Sequence, residues 1–96
     1  MATFITLLNF SDQGIRNVKD SPDRVGAFQA MAEKAGVKVK SVHYTVGHYD
    51  LVVIVEGSDE ATTAVLLKLG SLGNVRSETL RGFSVDEMKK IIAKMP

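Results

Sequence analysis

Ninety-six residues make one domain with one core, and the charge is nearly balanced: 12 basic against 11 acidic side chains, formally +1 overall. Like charges do not cluster into runs, which argues against a nucleic-acid footprint and against a polybasic membrane patch. The lack of cysteine excludes disulfides, thiolate metal ligands and thiol nucleophiles, while a 45% hydrophobic content is enough to build a core.

Met1 to Phe10 has no basic leader, and Thr6 and Asn9 interrupt its apolar run. It reads as a strand over Thr3–Phe10 and not as a signal peptide. No stretch approaches the roughly 20 apolar residues of a membrane span, so the cytoplasm is the default compartment. Ser11-Asp12-Gln13-Gly14 breaks the strand pattern with turn chemistry. Gly14–Asp20 is compatible with either a short helical turn or an ordered loop. Ser21-Pro22-Asp23 then makes a helix start: Ser21 as cap, Pro22 in the first position, Asp23 at the positive end of the dipole. Val25, Phe28, Ala32 and Ala35 follow at helical spacing, and Gly36 ends the helix.

Val37–Val46 and Asp50–Glu56 read as two strands joined at Gly47-His48-Tyr49, a connection short enough to require an antiparallel hairpin. The run Leu51-Val52-Val53-Ile54-Val55 is apolar on both faces. Such a strand is normally covered on both sides. One cover can come from the chain's own helices; the other calls for a partner, and a homo-oligomer is expected. Ser58-Asp59-Glu60 caps a second helix with Ala61, Val65 and Leu69 on its stripe, ended by Gly70 and Gly73. Val75–Phe83 reads as the fourth strand. Ser84-Val85-Asp86-Glu87 is a capping box opening a C-terminal helix whose apolar side is Met88, Ile91, Ile92 and Met95.

The order βαββαβα predicts a single α+β domain over residues 1–96: a ferredoxin-like four-stranded antiparallel sheet, two helices on one face, and a C-terminal helix closing it. Three stretches are more specific. Gly47-His48-Tyr49-Asp50 fits the G-x-Y-D signature of the GYD domain family. Ser11 to Pro22 resembles that family's "TDQG…KDSP" stretch, and Gly70 to Arg81 its "GSLGNVRTxTLRAF" segment, with Gly82 where alanine is expected. The resemblance spans nearly the whole chain. It implies a ferredoxin-like fold of the dimeric α+β barrel type and no established biochemical function. The hairpin is also similar to that of the effector-binding domain of leucine-responsive-type regulators. Those domains pair sheet to sheet and hold ligands at subunit interfaces or between sheet and helices. No helix-turn-helix precedes the domain here, so direct DNA binding is not expected.

His43, His48, Tyr49, Asp50 and Arg76 are the candidate ligand-binding residues. In the hairpin, Tyr49 and Asp50 suit a polar ligand and Gly47 a close backbone approach. Turn chemistry accounts for the same residues: Gly47 at positive φ, Asp50 on turn N–H groups, Tyr49 with its hydroxyl at an interface. His43 and His48 are the only histidines, and no carboxylate spacing completes a metal or haem motif around them, so no metal and no cofactor is expected. Arg76 suits a carboxylate or phosphate, but alternation puts it on the face opposite Arg81, and cross-strand ion pairing is the plainer reading for both. Gly70-Ser71-Leu72-Gly73-Asn74 lacks the context and the lysine of a phosphate loop and reads as helix termination plus a turn. The functional expectation is a small homo-oligomeric ligand-binding or interaction module with its site near the hairpin. The alternatives are a dimeric-barrel enzyme, either an isomerase or a cofactor-poor oxygenase, and a purely structural assembly unit.

Overall fold

The structure is a computed structural model describing residues 1–96. Its elements are β1 (Ala2–Phe10), α1 (Asp12–Arg16), a 3-10 turn at Val18–Asp20, α2 (Ser21–Lys34), β2 (Lys38–Tyr44), β3 (Leu51–Gly57), α3 (Asp59–Ser71), β4 (Val75–Gly82) and α4 (Val85–Ala93). The four strands form one antiparallel sheet in the order β2-β3-β1-β4. This is the ferredoxin-like arrangement. Its two inner strands, β1 and β3, are also the richest in β-branched and aromatic residues.

Period-two alternation sorts the side chains. Leu8 on β1 stands opposite Leu51, and Thr6 opposite Val53; this face is sealed by α2 and α3, leaving Leu8, Val53 and Val55 buried with Phe28, Ala32 and Val65. Each buried Leu, Val or Phe contributes about 1.5–3 kcal/mol relative to exposure. Thr6 is the buried polar residue of this face, and its hydroxyl is satisfied by that of Thr79 at 3.2 Å. β2 reaches the same core through a bulge between Val39 and Ser41, which lets Val39 and Val42 both point inward although three residues apart.

Several boundaries and roles differ from the sequence reading. The ambiguous Gly14–Asp20 stretch resolves into the end of α1 and the 3-10 turn. Ser21 does not cap α2. It is the first helical residue, it is buried, and its hydroxyl pairs with that of Tyr44 at 2.7 Å, a tertiary bond that outcompetes the local one. β2 stops at Tyr44 instead of Val46, and β3 begins at Leu51 instead of Asp50, because the residues between form a wider turn. Ala35 lies off the core as the C-cap of α2. Gly70 is inside α3, which runs on to Ser71.

The largest correction concerns α4. Its capping box forms as expected, yet the helix buries none of its residues. Val85, Met88, Ile91 and Ile92 remain exposed, so α4 extends from the domain and does not close it. The molecule measures 50 × 31 × 18 Å. Eighteen ångströms accommodates one sheet and one helix layer, about 10 Å apart, and no third layer. The far face of the sheet is therefore open.

Candidate functional site

The three sequence stretches converge on one place, the Phe10–Ser11 end of β1. Ser11 caps α1, its side chain accepting from the Gly14 N–H at 3.1 Å. It is also tied to the loop after α3: its backbone N–H donates to the Asn74 carbonyl at 3.0 Å, and its hydroxyl donates to the Gly73 carbonyl. The Gln13 side-chain amide donates to the Leu72 carbonyl at 3.1 Å and to Asn74 Oδ1 at 2.9 Å. Gly14 makes this docking sterically feasible, because a Cβ there would lie 1.9 Å from the Asn74 carbonyl oxygen. The loop itself turns through Gly73 at φ +84°.

The hairpin supplies the third contribution. Gly47 adopts φ +139°, as its place in the turn predicts. The turn is closed by Thr45, whose N–H donates to the Asp50 carbonyl at 2.8 Å and whose hydroxyl donates to the Tyr49 carbonyl. The Asp50 carboxylate does not serve its own turn. Its Oδ2 accepts from the Phe10 N–H at 2.9 Å, while the Asp50 N–H donates to the Leu8 carbonyl at 2.8 Å. The β1–β3 register, with Leu51 opposite Leu8, brings Asp50 alongside the end of β1 and explains the difference.

Tyr49 reaches β4, where its hydroxyl donates to Glu78 Oε2 at 2.8 Å. That bond, and then the carboxylate's negative charge, raise the phenol pKa above the ordinary tyrosine value. His48 is exposed in the turn, and His43 is exposed on β2 opposite Val52. Arg76 is exposed on β4 opposite Asn9. The expected cross-strand ion pairing of the arginines is absent: the one ion pair is Lys40–Glu56 at 3.5 Å. Arg81 instead stacks on Phe83, 4.4 Å from the ring centroid, and donates to the Thr3 carbonyl at 3.3 Å. No group of three or more His, Cys, Asp or Glu side chains is placed to hold a metal ion.

Thus Tyr49 and Asp50 are neighbours in the hairpin that reach β4 and β1 respectively, His43 and Arg76 stand on the same open sheet face at its two edge strands, and His48 stands apart in the turn. Ser11, Gln13 and Asn74 sit inside the quoted stretches, but their mutual pairing is a long-range fact that no local pattern announces.

Two larger features adjoin this junction. Between the sheet and α2–α3 lies an apolar cleft of about 210 Å³ with Phe10, Leu72 and Asn74 among its lining residues, and none of the five candidates lines it. On the opposite side, Ile5, Leu7, Val52, Ile54 and Leu80 occupy the uncovered sheet face, with Ser41 and His43 beside them on β2.

The GYD domain model matches residues 4–92. A Thermus thermophilus protein named "Glutamine synthetase and cystathionine beta-lyase binding protein" is 34% identical over 90 residues, which is 92% of this chain and 95% of that protein. No helix here is long and apolar enough to cross a membrane.

Proposed function

The chain belongs to the GYD domain family, and from that premise we propose that it is a homo-oligomeric protein-interaction module. The observation that carries the reading is the open sheet face. Four strands of seven to nine residues, at a spacing of about 4.8 Å and a rise of about 3.3 Å, give a face of roughly 500 Å² before side-chain relief is counted. A stable interface buries about 800 Å² per partner. The face and the uncovered side of α4 together reach that scale, and a second copy of the same surface is self-complementary under two-fold symmetry. In this reading the Gly47–Asp50 hairpin sets the end of β1 and the Tyr49–Glu78 bridge frames the interface. The paired module then docks onto other proteins, as the Thermus thermophilus relative does by its name.

Analytical ultracentrifugation at micromolar concentration tests the assembly. Twice the chain mass is expected, and Ile54→Glu, which places a charge between Ile5 and Ser41, is expected to give a folded monomer. A monomeric parent, or a dimer indifferent to Ile54→Glu, overturns the assembly. Immobilised glutamine synthetase and cystathionine beta-lyase probe the second half. Capture of the parent by either enzyme supports it, and capture by neither removes it.

A further inference from the structure

The cleft between the sheet and the helices has a chemistry that the interaction reading does not use. Leu8, Phe28, Val42, Leu51, Val53 and Leu69 are among the apolar side chains that make up most of its lining. The polar side chains at its margin are Ser21, Arg24 and Asn74. Two of these are engaged elsewhere: Ser21 with the Tyr44 hydroxyl at 2.7 Å, and Asn74 through its Oδ1 with Gln13 at 2.9 Å. Arg24 is different. Its Nη1 donates to the Asn17 carbonyl at 2.8 Å, but its Nη2 is buried and has no hydrogen-bond partner. No carboxylate stands within ion-pair distance of it.

A guanidinium stays charged at any pH a folded protein meets, and its fork matches a carboxylate. Buried polar groups are almost always satisfied, so a lone buried donor on an apolar cavity calls for an acceptor. Size narrows the class. An apolar cavity of about 150 Å³ in another protein stays dry and takes up benzene; at about 210 Å³ this one has room for a ring or short chain plus a carboxyl group. We infer that the cleft binds a small apolar monocarboxylate, of the size of phenylacetate or hexanoate, with its hydrocarbon body against β1, β2 and β3 and its carboxylate on Arg24 Nη2. The site faces away from the open sheet surface, so it stands or falls independently of the assembly.

Phenylacetate and its neutral isostere phenylacetamide, titrated into the full chain by calorimetry and by amide and methyl NMR, provide the test. Phenylacetate is expected to shift the signals of Val42, Leu51 and Val53 and to bind about tenfold to a hundredfold more tightly than the amide, the range expected for a hydrogen bond to a charged group. Arg24→Gln is expected to lower phenylacetate to the affinity of the amide, and Val42→Phe, which fills the cleft, to abolish binding of both. Equal binding of acid and amide to the parent, no binding of the acid, or shifts confined to the open face would each overturn the assignment, even if the Arg24 variant failed to fold.

Discussion

Gly14→Ala sets two effects of known sign against each other. Alanine is favoured over glycine by about 1 kcal/mol inside a helix, and Gly14 lies in the middle of α1. On propensity alone the variant is more stable. Against this, the added Cβ would stand 1.9 Å from the Asn74 carbonyl oxygen and 2.9 Å from its carbon. Both partners are backbone, so α1 and the 72–74 loop must separate by more than an ångström. That movement breaks Ser11 N–H to Asn74, Ser11 hydroxyl to Gly73, and the two Gln13 bonds. At about 0.5–1.5 kcal/mol net for each of four bonds, with partial recovery by water, the loss is about 2–4 kcal/mol. The steric effect wins, leaving a net destabilisation of about 1–3 kcal/mol. In a domain of this size that lowers the melting temperature by roughly 5–20 °C. Urea and thermal unfolding followed by circular dichroism measure it. An unchanged or raised melting temperature would refute the claim that the two motif stretches clamp each other through Gly14.

Asp50→Ala removes a charged acceptor and leaves the Phe10 N–H without its partner; a loss of about 1.5–3 kcal/mol is expected in urea unfolding. Asp50→Asn retains an acceptor oxygen and is expected to recover most of that loss. In α4, the Glu87 carboxyl is held below the ordinary glutamate range, first by the Ser84 backbone N–H and then by the Ser84 side chain. A depressed carboxylate pKa favours the helical state above the ordinary value, and the contribution is lost as pH falls through the depressed one. Amide protection factors along α4 should therefore fall on acidification, and Ser84→Ala, which keeps the backbone N–H and loses only the hydroxyl, should weaken that pH dependence. In the monomeric Ile54→Glu variant the global melting temperature should stay unchanged, because α4 buries nothing in its own chain.

Much of the fold is legible in local sequence patterns. Alternation in β1 and the doubly apolar run of β3 announce strands whatever surrounds them, since period two reflects backbone geometry. The boundaries that moved did so where a tertiary bond competed with a local one. Ser21 has the chemistry of a cap, but its hydroxyl meets Tyr44 once β2 is in place. Asp50 has the chemistry of a turn residue, but β1 offers it the Phe10 N–H. The bulge at Lys40 leaves no mark in composition, because either face of β2 could have accepted Val39 or Val42.

Sequence by itself determined most of the elements, the α+β ferredoxin-like class, the glycine-dependent hairpin and family membership, because each is written in local patterns or contiguous motifs. Tertiary structure alone decided what those motifs are for within the fold: two of them lock to each other around Gly14, and the third ties Asp50 to the same strand end. It also decided that α4 stands apart from the core and that Arg24 lines a cleft with its buried Nη2 left without a partner. These are relations between residues far apart in the chain. Their energies depend on close approach and shared burial, which exist only once the sheet has formed.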